Sequence, residues 1–176
     1  MHFDTLLSNS SLFNATVAAA EVVYLVTEVC NDLKMDERMP RLIRLWSQDR
    51  LSGAGFSIEL SPIVIPTQDG EPILAAWPVI RAYKRDVQVL VDIRHLPGET
   101  DDDLKKMALW VLENSHADQL YLAVNLAYSP FKAKAYFRPG MLGPAAGDEC
   151  EIPLGYRNTV IPFRPQRTIS DETLEL

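Results

Sequence analysis

Between Leu12 and Leu33 apolar residues return every three or four positions: Leu12, Ala15, Ala19, Val22, Val26, Val29 and Leu33. That spacing gathers side chains on one side of a helix and of no other regular element. Val17, Val23 and Leu25 widen the stripe well beyond a coiled-coil seam, and Glu21, Glu28 and Asp32 leave only a narrow polar edge. A helix this apolar must be covered over most of its circumference, by its own domain or by a second copy of the chain. Cover by its own core is the expectation, and a homodimer through this first helix is the alternative. Ser10 or Ser11 is placed to cap its start.

The same segment raises the question of a membrane. Glu21 and Glu28 would sit inside any span, and a centrally placed carboxylate costs about 2.5–3.5 kcal/mol on insertion scales. The opening MHFDTLL lacks the basic start of a secretory signal. The chain is therefore expected to be soluble and cytoplasmic, with no membrane partner. Its 176 residues suit one domain, and an apolar content of 47% is enough for a substantial core. A net charge of −7 argues against a generic DNA- or membrane-binding protein. Cys30 and Cys150 form no C-x-x-C pair and have no neighbouring histidines, so neither a zinc site nor a redox motif is indicated.

Beyond the first helix the period changes. Pro40 opens a second helix, with Leu42, Leu45 and Trp46 on one face, and Ser52–Gly55 closes it. Phe56, Ile58 and Leu60 then alternate with polar residues. The run from Ser61 to Trp77 reads as two strands about an Asp69-Gly70 turn, with prolines at 62, 66 and 72 that suit short or edge strands. Asp86–Leu96 is the clearest strand, with Val87, Val89, Val91 and Ile93 on one face and Leu90 on the other. A helix to about Asn114 and strands at 119–128 and 131–138 complete the series. The order predicts an α+β fold: a mainly antiparallel sheet of about five or six strands, two N-terminal helices and one inserted helix. Residues 1–138 form this domain. Residues 139–176, rich in proline and glycine, form an extended C-terminal arm.

The densest cluster of ionisable groups is HLPGETDDDLKKM, His95 to Met107. Thr100 reads as an N-cap with Asp103 three residues on, and Asp101 and Asp102 fall in the first turn, where the helix dipole favours negative charge by about 0.3–1 kcal/mol each. Consecutive aspartates at a helix start point in different directions, whereas a metal needs ligands converging on one point. No metal site is expected here, and no motif calls for a cofactor. His2, His95 and His116 are too scattered to nominate as catalytic groups.

Two patterns carry the candidate sites. On a strand, Lys132, Lys134, Tyr136 and Arg138 face one way, and no acidic residue occurs between Gln119 and Gly147. Basic side chains interleaved with an aromatic suit a nucleic acid or other polyanion, and suit an acidic protein surface equally well. Arg157, Arg164 and Arg167, with Tyr156 and Phe163, continue this character. The second pattern is VDIR, Val91 to Arg94, on the clearest strand.

The order of helix, strands, helix and strand around VDIR is similar to the core of restriction-endonuclease-like nucleases. That resemblance implies a magnesium ion held by a first acid, Asp69, and by Asp92, with Arg94 standing where the family has a lysine. Arginine stays protonated and is a poor base. Asp69 also suits its turn for backbone reasons. The small acidic build and the order of elements are likewise similar to secretion-type protein chaperones. There is no Walker loop, Rossmann glycine set, G-x-S-x-G or H-E-x-x-H motif. The sequence thus favours a non-catalytic protein-interaction module, adaptor or chaperone-like, with a protein partner. Polyanion binding through the Lys132–Arg138 face and a magnesium nuclease are the alternatives.

Overall fold

A computed structural model describes residues 10–66, 71–85, 87–114, 119–138 and 151–153. Helix α1 spans Ser10–Asp32, a 3-10 turn Met35–Glu37 follows, and α2 spans Pro40–Gly53. Strands β1 (Ser57–Ser61), β2 (Val64–Ile65), β3 (Ile73–Leu74), β4 (Val79–Lys84) and β5 (Val87–Arg94) lead to helix α3 (Asp101–Asn114). Strands β6 (Leu120–Asn125), β7 (Lys132–Phe137) and β8 (Glu151–Pro153) complete the described chain. The α+β class expected from the element order holds.

Six strands form one sheet in the order β1-β4-β5-β6-β7-β8. All neighbours are antiparallel except β5 and β6, which run parallel with Val91 beside Leu122 and Arg94 beside Asn125. Parallel neighbours need a crossover, and α3 supplies it. Because side chains alternate along a strand, each face has its own set. Val87, Val89, Val91, Ile93, Leu120, Leu122, Val124, Ala133, Ala135 and Phe137 point toward α1 and α2 and pack with Val22, Val26, Val29, Cys30 and Ile43. Leu90, Tyr121, Ala123 and Tyr136 point toward α3 and pack with Leu104, Met107, Ala108, Val111 and Leu112.

From Val22 to Cys30 the apolar face of α1 is thus covered by the domain itself, and the side chains of Leu12, Ala15 and Ala19 lie outside the described ones. Cys30 is a buried free thiol whose pKa burial pushes up to about 12, so it packs as a small inert hydrophobe. Cys150 lies outside the described residues. Ser10 and Ser11 are the first described residues of α1, and the side chains that would cap it lie outside the described ones. Pro40 does open α2, and Ala54 and Gly55 end it, Gly55 taking the left-handed φ of 98° before the chain turns into β1.

Three features depart from the sequence reading. Strand β4 was hidden in VIRAYK, where Arg81, Tyr83 and Lys84 mask the inward alternation of Ile80 and Ala82. Its link to β5 passes through Arg85 at φ 57°, a turn position that favours glycine or asparagine and so gave no signal. The pair β2–β3 forms as expected, with Val64 beside Leu74 and Ile65 beside Ile73, but as a separate ribbon and not part of the main sheet. Strand β7 is not the last of the sheet, because β8, from the proline- and glycine-rich stretch, pairs with it antiparallel. Among the described residues no helix is long and apolar enough to cross a membrane.

Candidate functional site: a buried polar cluster beneath an open cleft

The face of β5 that looks toward α3 carries Leu90, then Asp92, then Arg94, since strand alternation places every second residue there. Asp92 is fully buried and Arg94 keeps 1% of its side-chain surface. A carboxylate and a guanidinium removed from water need hydrogen-bond partners. For Asp92, Trp77 Nε1 donates to Oδ1 at 2.7 Å, and the Tyr121 hydroxyl donates to Oδ2. Arg94 Nη1 lies 3.5 Å from Asp92 Oδ2 and 3.3 Å from Glu99 Oε1, with Met107 Sδ at 3.3 Å. Arg94 Nε and Nη2 are buried without a partner among the described residues.

Asn125, at the end of β6, ties this cluster to the following loop. Its Nδ2 donates to Leu96 O at 2.8 Å and to Glu99 Oε2 at 2.9 Å, while its Oδ1 accepts from the N–H groups of Leu96 and Ala127 at 3.0 Å each. The Tyr128 hydroxyl accepts from Gly98 N–H at 3.0 Å and donates to Glu99 O at 3.2 Å. Thr100 Oγ1 then accepts the Asp103 N–H at 3.1 Å, the cap that starts α3. The aspartate run therefore has the helix-start role expected of it, and Asp101 also pairs with Lys134 at 3.3 Å.

The electrostatics follow from burial and pairing. Burial raises the pKa of Glu99 above the usual carboxylate range, against the opposing pull of Arg94 and the Asn125 hydrogen bond. Burial also holds the Tyr121 hydroxyl protonated well above its ordinary value, with Arg94 opposing and Asp92 adding to the rise. For Arg94, burial works against the charge, but Tyr121, Asp92 and Glu99 outweigh it and raise its pKa. Arg44, on α2, donates to Ile93 O at 2.7 Å; burial lowers its pKa, and Asp92 opposes that.

Above the cluster, at the carboxyl ends of the parallel strands, lies an open cleft of about 790 Å³. Pro66, Leu96, Pro97, Gly98, Met107 and Trp110 line it, with Glu99, Asp103 and Lys106 supplying charge. Crevices outside the carboxyl ends of parallel strands are where ligands bind in many α/β sheets. The hydrogen bonds of Asn125 and Tyr128 hold the 96–99 loop, so the cleft wall is preformed.

The residues singled out in sequence fall differently. Asp92 and Arg94 are neighbours, as the nuclease resemblance requires. Asp69 lies outside the described residues, on the link between β2 and β3. Both Asp92 oxygens already accept hydrogen bonds and one faces a guanidinium, so these residues do not fit a divalent cation. Among the described residues no group of three histidine, cysteine, aspartate or glutamate side chains is placed to hold a metal. On β7, Lys132 is exposed with its ammonium 4.1 Å from the Tyr128 ring centroid, Lys134 reaches Asp101, Tyr136 keeps 1% of its surface, and Arg138 is half-buried. They share a face, but Tyr136 belongs to the core beneath α3. Residues 156, 157, 163, 164 and 167 lie outside the described residues.

Sequence reading missed Trp77, Glu99, Tyr121 and Asn125. For the last two a signal existed: in LYLAVN they share the face opposite Leu120, Leu122 and Val124, and polar atoms inside so apolar a strand need partners. No family model, no curated protein and no solved structure matches the chain.

Proposed function

We propose that the chain is a non-catalytic protein-interaction module, adaptor or chaperone-like, that docks a segment of a partner in the cleft between α3 and the 96–99 loop. One observation carries this reading: the cleft is open and preformed while Asp92, Arg94 and Tyr121 beneath it are buried away from solvent. Both Asp92 oxygens accept hydrogen bonds, from Trp77 and Tyr121, and Arg94 is almost wholly buried with Nη1 shared between Asp92 and Glu99, which suits a rigid floor closed to solvent. The apolar wall of Trp110, Met107 and Leu96 offers the large, rigid contact area that anchors protein complexes.

The test is selection of a phage-displayed random peptide library on the immobilised full chain, followed by affinities on wild type and Trp110→Ala. Selected peptides are expected to lose at least about tenfold, 1.4 kcal/mol, on the variant while its circular dichroism is unchanged. No enrichment over bare support, or affinities indifferent to Trp110, would remove the cleft as the docking surface.

Self-association is a second reading, supported by α2 and not by α1. Leu45 and Trp46 are 61% and 41% exposed beside Asp49 and Arg50, and Met35 and Met39 are 50% and 56% exposed nearby in sequence. A dimer through this face would dissociate in Trp46→Glu, and a wild-type monomer in sedimentation at about 50 µM would dismiss it. For the polyanion reading, Lys132 remains the exposed basic group of β7, and loss of salt-sensitive binding in Lys132→Glu is its test.

A further inference from the structure

Resting on the cleft as the docking surface, we infer that its occupant is a basic segment of a partner protein, with one lysine or arginine side chain seated along Trp110 and its charge between Glu99 and Asp103. The lining itself carries two carboxylates, Glu99 and Asp103, and one ammonium, Lys106. Below it, Asp92 and Glu99 share a single guanidinium nitrogen of Arg94. Arg44 adds positive charge near Asp92, but it is committed to Ile93 O and does not line the cleft. The first turn of α3 adds Asp101 and Asp102, of which Asp101 is bound to Lys134.

An anionic ligand would face these carboxylates, and the Arg94 nitrogens left without a partner are buried out of its reach. A wholly apolar ligand would bury Glu99 further and leave its charge with less solvent. A lysine or arginine satisfies both halves of the cleft. Its aliphatic stem covers Met107 and Leu96 while its charged end stays at the acidic rim. The face of Trp110 attracts a cation within about 6 Å of the ring centroid. Glu99 is also already held in place by Asn125 and Arg94, so a cation meets a carboxylate that needs no reorganisation. A partner's basic segment also complements the net charge of −7 of the whole chain, which steers association.

The test uses full-length isotope-labelled protein and two synthetic pools of capped seven-residue peptides. One pool carries a central lysine or arginine flanked by apolar residues, and the other replaces it by norleucine or citrulline. The basic pool is expected to shift the amide signals of Gly98, Lys106 and Trp110 and to bind at least tenfold more tightly than the neutral pool. Asp103→Asn, an exposed position whose helix cap is donated by its backbone, should weaken the basic pool several-fold with the fold intact. Equal binding of both pools at these signals would overturn the basic occupant while leaving the cleft as a docking surface. Absence of shifts from either pool would overturn both.

Discussion

The two faces of the central sheet solve burial in opposite ways. Toward α1 and α2 the strands present an unbroken apolar surface, Val89, Val91, Ile93, Leu120, Leu122 and Val124, packed against the valines of α1. Toward α3 the same strands present Asp92, Arg94, Tyr121 and Asn125, closed over by Glu99 and Met107. The first face is held by contact area, which is non-directional and tolerant of detail. The second adds to a smaller apolar patch, Leu90 and Ala123 against Leu104, Ala108 and Val111, directed bonds between a few groups, where each partner is costly to lose because the others stay buried. The face with directed bonds is the one that shapes the cleft. Positioning a loop needs bonds of defined geometry, whereas a core only needs volume.

The comparison breaks most sharply at Arg94. Arg94→Ala leaves Asp92 and Glu99 without their shared cation and should cost about 3–5 kcal/mol in denaturant unfolding. Replacing the set together, Asp92→Leu with Arg94→Met, Glu99→Gln and Tyr121→Phe so that no buried hydroxyl is orphaned, should cost less than the single change, and a cost equal to it would show that packing and not charge is being measured. On the opposite face Leu122→Ala should cost about 2–4 kcal/mol with no such rescue. Tyr121→Phe removes only the hydroxyl that donates to Asp92 and should cost about 1.5–3 kcal/mol.

Acidity sharpens the contrast further. The folded state holds the Glu99 proton more tightly than the unfolded chain, where a glutamate titrates near about 4.3. The contribution of this group is therefore fully present below that value and declines as pH rises through it toward the raised folded pKa. Glu99→Gln should flatten this decline in pH-dependent unfolding, and Leu122→Ala should leave it unchanged. The smallest effect is expected on the outer surface. Arg50 pairs with Glu28 at 3.1 Å and Asp32 at 3.3 Å, but all three are over a third exposed, so Arg50→Ala should change stability by no more than about 1 kcal/mol and less at high salt.

Much of the architecture was legible before any coordinates. The periods of α1, α2 and β5, the Pro40 start, the Thr100 cap and the β2–β3 pairing are written in residues that touch their near neighbours along the chain. Strand β4 was lost because Arg81 and Lys84 interrupt its apolar pattern and the alternation of Ile80 and Ala82 is brief. The basic row on β7 was correctly placed on one face, yet its surroundings were hidden: only the crossover helix decides that Tyr136 is buried and Lys134 meets Asp101.

What the sequence by itself determined, then, is the helices and the strands with a clear period, β5 above all, because helix and strand periodicity depend on positions a few residues apart. Tertiary structure alone decided the parallel pairing of β5 with β6, the addition of β8, and the polar cluster. Asp92 meets Tyr121, Arg94 meets Glu99, and Asn125 holds Leu96 across a turn of the fold. Such contacts depend on strand register and on the path of α3, so no local pattern announces them. The cleft exists because those distant groups converge at the carboxyl ends of two strands that became neighbours only on folding.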